Sequence, residues 1–213
     1  MKTKLICIIG PDGTGKTTQA ELLTKKFQQD GVKCKYQWLR FYHFFSLPLL
    51  LVAKMMKLSE VVTLPSGKKV GYHYFWKSRF ISTIYPILLL VDTFIIINIK
   101  VYFPLKFLKK RIICDRFIYD TIVDLMISTN NPNLLNTKIV GYFSRLIPKK
   151  SITFLLLSNE EILRERREDI KYDKLLKLKI DYYKILARFY NIITIKADLS
   201  IEDVQEIIAN ELT

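Results

Sequence analysis

Gly10-Pro11-Asp12-Gly13-Thr14-Gly15-Lys16-Thr17 spells GxxxxGK[ST], and its flanks decide how the chain folds. Before it, Lys4 to Ile9 is a short apolar run. After it, Thr17 to Gln29 carries Ala20, Leu23 and Phe27 at helical spacing and stops near Gly31. Strand, glycine-rich loop, helix is the setting in which backbone N–H groups wrap an anion while the helix dipole points its positive end at the same place. Gly10, Asp12, Gly13, Thr14 and Gly15, with Lys16, Thr17 and Thr18, are therefore expected to bind the phosphates of ATP. Lys16 offers a mobile cation to the β- and γ-phosphates, and Thr17 a hydroxyl to the Mg2+ ion that phosphoryl transfer requires.

Outward from this unit the pattern repeats. Val32 to Leu39 alternates Val32, Cys34, Tyr36 and Trp38 against polar neighbours and reads as a second strand; Arg111 to Cys114 reads as a third. Ser151 to Leu157 is a near-continuous apolar run suited to a strand covered on both faces, after which Ser158 or Asn159 caps a helix through Arg167. Asp173 to Tyr190 reads as a long amphipathic helix and Ile192 to Ile195 as a fifth strand. Ser200-Ile201-Glu202-Asp203 reads as a capping box opening a helix to Leu212. Strands alternating with helices imply an α/β fold with a five-stranded parallel sheet and helices on both faces.

The 213 residues are 50% apolar, enough for one compact domain over 1–213. Two middle stretches, Phe41 to Leu58 and Ile84 to Leu108, invite a transmembrane reading. Lys54 and Lys57 interrupt the first, and Asp92, Asn98, Lys100 and Pro104 the second, so neither offers the ~20 uninterrupted apolar residues of a span. Buried or interface helices are the better account. The formal charge of +14 favours anionic partners, although a lysine-rich solvated surface accounts for most of it. No nucleic-acid-binding motif stands out, and nucleic acid is not an expected partner. Cys7, Cys34 and Cys114 sit apart in strand-like stretches and read as buried thiols. With an apolar start too short for a signal peptide, they point to a reducing, cytoplasmic compartment.

Two further clusters carry chemistry. Cys114-Asp115-Arg116-Phe117 lies at the carboxyl end of the third strand, where ligands of open α/β sheets gather. Asp115 suits a magnesium-bound water and Arg116 a phosphate clamp; the competing reading is a structural salt bridge. Arg164, Arg166 and Arg167 end the helix after the fourth strand. They fit a closing flap that neutralises charge developing in transfer. They fit equally a solvated face paired with Glu160, Glu161, Glu165 and Glu168.

GPDGTGKTTQ, Leu39-Arg40-Phe41, Phe75-xxx-Arg79, Asp115-Arg116-Phe117 and the Glu161 to Asp169 stretch, in order along the whole chain, together resemble the thymidylate kinases. The resemblance implies a P-loop kinase fold and ATP- and Mg2+-dependent conversion of dTMP to dTDP in nucleotide biosynthesis. It also implies an acceptor-binding region about 40–108, an arginine-bearing flap about 160–173, and a homodimer through the apolar helices. In it Asp12 would face the acceptor's sugar hydroxyl, and Arg40 and Arg116 would grip its phosphate. Phe75 would stack on the base while Arg79 bonds its edge, their i, i+4 spacing placing both on one helix face. Some members carry a catalytic arginine where this chain has Gly13, which assigns that role to the flap arginines. The chain departs from the family pattern at Ile9, where an acidic residue is usual, and at the YHFFSLPLLL segment after Arg40. Two alternatives therefore stand beside this reading: a membrane-peripheral kinase acting on another phosphorylated acceptor, and a nucleic-acid-associated ATPase.

Overall fold

The structure is a computed structural model describing residues 3–40, 42–63, 67 and 69–212; Phe41 lies outside the described residues. In chain order the elements are β1 (Leu5–Ile9), α1 (Lys16–Gln29), β2 (Cys34–Trp38), α2 (Ser46–Met55), β3 (Ser59–Thr63), β4 (Lys69–His73) and α3 (Arg79–Ile97). They continue with α4 (Phe103–Lys106), β5 (Arg111–Asp115), α5 (Ile118–Ser128), α6 (Lys138–Arg145) and β6 (Ser151–Leu157). The chain ends with α7 (Glu160–Arg166), α8 (Glu168–Lys171), α9 (Leu176–Tyr190), β7 (Ile193–Lys196) and α10 (Ile201–Glu211).

Every residue of β1 is buried because both faces of the strand are covered. Leu5, Cys7 and Ile9 enter a core shared with α2, α3, α5, α6 and α9, while Ile6 and Ile8 enter a second core with Ala20, Leu23 and Phe27 of α1 and Val204 and Ile208 of α10. The expected five-stranded parallel sheet forms in the order β2-β5-β1-β6-β7. Its register sets Cys7 beside Cys114 and Ile8 beside Asp115. The loop after β1 and the Asp115-Arg116 turn therefore leave the sheet side by side. Strand order reverses at β1, which makes this edge a topological switch point where ligands bind.

Some boundaries differ from the sequence expectation. The helix expected from Asp173 starts at Leu176, because the Asp173 carboxylate accepts a bond from the Leu175 N–H at 2.9 Å and pairs with Lys179 at 2.6 Å. The helix after Asn159 ends at Arg166, and α8 follows as a separate turn. An antiparallel hairpin, β3 with β4, was not expected from the sequence. Its strands SEVVT and KVGYH are short, and Pro65-Ser66-Gly67 between them is the turn signal that marks it.

Arg79–Lys106 is one helical rod of 28 residues with a π-helical turn at Asn98–Tyr102, long and apolar enough to cross a membrane by length and composition alone. In this fold its Ile81, Tyr85, Leu89 and Ile96 lie in the core. Asp92, which interrupts the apolar run in the sequence, is wholly buried and holds the start of α2. It accepts from the N–H groups of Phe45 (2.8 Å) and Ser46 (3.0 Å) and from the Ser46 hydroxyl (2.5 Å). Asp92→Ala should lower unfolding free energy by about 2–4 kcal/mol, from a lost cap and orphaned buried donors. Urea denaturation checks this; a loss well under 1 kcal/mol would show that α2 is held elsewhere.

Candidate active site at the carboxyl edge of the sheet

The loop between β1 and α1 depends on bare glycine at two points. Gly10 has φ +140°, and a Cβ there would lie 2.3 Å from the Leu156 carbonyl oxygen; one on Gly13 would meet the Ile170 side chain at 2.7 Å. The second contact lets α7 and α8 close directly on the loop. Lys16 lies inside, 5% exposed, its ammonium donating to the Pro11 carbonyl and, at 3.4 Å, to the Thr14 hydroxyl. Burial first, then the Arg116 cation, push its pKa down to about 7 against the pull of Asp12. The loop from Asp12 to Thr18, with Arg116, Arg166 and Arg167 and, after β7, Ala197, Leu199, Ser200 and Ile201, lines a cavity of about 550 Å³. That volume is in the range of small-molecule sites.

The Thr17 hydroxyl donates to Asp115 Oδ2 at 2.5 Å, and the Tyr36 hydroxyl to the same oxygen at 3.0 Å. Asp115 Oδ1 is buried and accepts no hydrogen bond among the described residues, an arrangement that calls for a ligand or ion. A hydroxyl beside a carboxylate with a spare oxygen is a hard-oxygen donor pair, and the residues fit Mg2+. No group of three or more His, Cys, Asp or Glu side chains able to hold a metal occurs among the described residues. Such a pair suits an ion completed by phosphate oxygens and water.

Beside the loop, two arginines and three carboxylates interlock. Arg116 has φ +70°, its N–H bonded to the Ile8 carbonyl at 3.0 Å. Its guanidinium meets Asp12, Asp120 at 3.2 Å and the Gly10 carbonyl at 3.4 Å. Arg40 forks onto Asp124 at 3.0 and 3.2 Å and lies 3.8 Å from Asp12. Asp120 is fixed in turn by the Tyr183 hydroxyl at 2.6 Å and the Phe117 N–H at 2.8 Å. Burial works against ionising Asp12, but Arg116, Lys16 and Arg40 overcome it and hold the carboxyl well below its usual range. Arg116 is thus ion-paired, as the salt-bridge reading expects, and it also lines the larger cavity.

A second cavity of about 130 Å³ opens on the far side of Arg40, lined by His43, His73, Tyr85, Leu89, Asp124 and Lys179 among others. The chain's two histidines both face it. His43 bonds Ser46 Oγ at 2.8 Å and His73 bonds Ser59 Oγ at 2.9 Å; burial lowers the pKa of both rings and favours the neutral form. The Phe75–Arg79 expectation needs correction here. Phe75 belongs to a 3-10 turn and Arg79 opens α3, with Ser78 extended between them as the N-cap, so the two share no helix face. Phe75 is wholly buried, stacked behind His73 (5.0 Å, 29°) and edge-on to Tyr85 (4.7 Å). Arg79 is exposed and lies outside the lining of this cavity.

The flap arginines divide. Arg164 pairs with Glu160 (2.7 Å) and donates to the carbonyls of Ile170, Lys171 and Asp173, pinning α7 to α8 away from the larger cavity. Arg166 and Arg167 line that cavity, the first bonded to the Ala197 carbonyl at 2.6 Å, the second forked on Asp169. Sequence reasoning missed Asp120, Asp124, Tyr183 and His73. Asp120 and Asp124 follow the Asp115-Arg116-Phe117 triplet at i, i+4 spacing, which is the signal that points to them.

No protein-family model matches the chain, and no curated protein matches it. Solved structures do. The crystal structure of thymidylate kinase from Ehrlichia chaffeensis aligns over 98% of this chain and 97% of that one, with a TM-score of 0.57 and 18% identity. At that identity the likeness is one of architecture: the five-stranded parallel sheet with its surrounding helices is the P-loop kinase fold.

Proposed function

We propose that the chain is a nucleoside monophosphate kinase that passes the γ-phosphate of ATP to dTMP. The observation that carries this reading is that two cavities meet at one charged cluster. Asp12, Lys16 and Arg116 face the larger cavity, Arg40 and Asp124 the smaller, and Asp12 ties the two arginines together. A donor phosphate cradled by the loop and an acceptor phosphate between Arg40 and Arg116 would then be held in line, as transfer needs.

The acceptor's phosphate oxygen attacks the γ-phosphorus, and the bond from that phosphorus to the ADP oxygen breaks, its electrons leaving with ADP. Lys16 offsets charge on the transferring group, while Arg166 and Arg167 approach from the flap. Ile170 seats over Gly13 and holds the flap against the loop. Bound Mg2+, held by Thr17 and Asp115, would supply charge neutralisation on the phosphate oxygens. Asp12 serves chiefly to set the two guanidiniums, and remains placed to meet a sugar hydroxyl. ADP release measured across a panel of nucleoside monophosphates tests the proposal. dTMP should turn over best, and release with none of them would overturn it.

The base contact falls to His73, whose ring faces the acceptor cavity with Phe75 behind it. His73→Ala should raise the acceptor KM by about tenfold, the loss of one stacking platform. Phe75→Leu should act mainly on Tm, and Arg79→Ala should leave base preference unchanged. A selective loss of base preference in Arg79→Ala would restore that residue to the base edge.

A further inference from the structure

Tyr36 sits half-buried in the middle of β2, where the alternation of the strand asks only for an apolar ring. Parallel register pairs it with Ile113 of β5, two residues before Asp115, so Tyr36, Ile113 and Asp115 share one face of the sheet. α1 covers that face. The Tyr36 ring packs there against the core that holds Ile113 with Ala20 and Leu23 of α1. Phenylalanine would fill the same place. What it lacks is the hydroxyl, which in Tyr36 donates to Asp115 Oδ2 at 3.0 Å.

Asp115 is 1% exposed, so each of its oxygens needs a use. The Thr17 hydroxyl, from the first turn of α1, donates to Oδ2 at 2.5 Å beside the Tyr36 hydroxyl. A carboxylate oxygen offers about two acceptor positions, and these donors take both on Oδ2. Oδ1, buried and accepting no hydrogen bond among the described residues, is the oxygen left for an ion or for an ion's water. Thr17 spends its proton on Asp115 and keeps its lone pairs. Without the Tyr36 hydroxyl, Oδ2 would regain a free acceptor position, and Thr17 would be left to hold that oxygen. The carboxylate could then turn and offer either oxygen. Partners that lie one step behind a ligating group set its orientation and, through it, the affinity of the site.

We propose that Tyr36 is a positioning residue for the Mg2+ complex of the nucleotide: its hydroxyl closes Oδ2 of Asp115 and commits Oδ1 to the ion. This role presupposes the kinase reading of the loop and is independent of the acceptor. Calorimetric titration of the full chain with a non-hydrolysable ATP analogue, in Mg2+ and in EDTA, gives the factor by which the ion strengthens nucleotide binding. In Tyr36→Phe that factor should fall about tenfold, the lower end of what such partners contribute, while affinity in EDTA stays within about twofold of the parent's. A hydroxyl that serves the fold alone would instead lower the Tm of the nucleotide-free protein and leave the factor unchanged, and that result would overturn the proposal. So would equal losses of affinity in Mg2+ and in EDTA, which mark a damaged loop. If the parent shows the Mg2+ effect and Tyr36→Phe keeps all of it, the role of Tyr36 fails and the kinase reading stands. If the parent binds no nucleotide, or binds it equally well without Mg2+, the metal site fails and the role of Tyr36 with it.

Discussion

Lys16→Ala is expected to lower kcat for ADP formation by about 10³-fold, the upper end of what one charge-stabilising group contributes, without lowering the Tm of the nucleotide-free protein. The two halves have one cause. Lys16 is 5% exposed, and burial with the nearby Arg116 cation brings its pKa from 10.5 to about 7, so its charged form is disfavoured in the free protein. The folded chain therefore binds fewer protons at this site than the unfolded chain between pH about 7 and 10.5. The penalty is whole below pH 7 and fades as pH rises toward 10.5. Lys16→Met, which keeps the apolar stem, should accordingly gain most on the parent at low pH and converge with it in alkali. A phosphate bound beside Lys16 would reverse this balance, so a group that burdens the free fold would serve a phosphate-bound state. Near-parental turnover by Lys16→Ala would remove the phosphate-loop assignment.

The parts of this molecule legible in the sequence are those where backbone geometry leaves one residue type. Gly10 stands where a Cβ would strike the Leu156 carbonyl, so the loop announces itself, and β1 reads as a doubly covered strand because it is apolar throughout. Side chains whose role depends on a distant partner do not. Asp124 looks like a solvated charge on α5 until Arg40 arrives from elsewhere in the chain to meet it, and Asp120 gives no sign of the Tyr183 hydroxyl that fixes it. Asp92 looks like an interruption until α2 places its first N–H groups on it. Spacing also misleads when a cap intervenes: Phe75 and Arg79 are four apart, but Ser78 starts a new helix between them. The hairpin β3 with β4 was hidden by brevity, and it matters because it carries His73 into the lining of the smaller cavity.

Arg116→Ala is expected to cost about 10²–10³-fold in kcat/KM together with a fall in Tm, and the two losses separate by a second substitution. Arg116 sits in the left-handed region at φ +70°, a conformation that costs a side-chain-bearing residue about 1–2 kcal/mol and persists here because the Ile8 carbonyl holds its N–H. Removal of the guanidinium takes one partner from Asp12 and one from Asp120. Breaking a buried pair costs about 3–5 kcal/mol when the survivor is stranded. Asp120 is not stranded, since Tyr183 and the Phe117 N–H remain, and Asp12 keeps Arg40 at 3.8 Å, so the stability loss should fall below that range. Arg116→Lys keeps the charge and discards the fork. If the fork grips the acceptor phosphate, Arg116→Lys should regain most of the Tm while kcat/KM stays at least about tenfold down, because one ammonium cannot hold two phosphate oxygens in the geometry of two parallel bonds. Recovery of both quantities together in Arg116→Lys, or parental kinetics in Arg116→Ala with only Tm reduced, would instead make Arg116 a structural ion pair and leave the acceptor phosphate to Arg40.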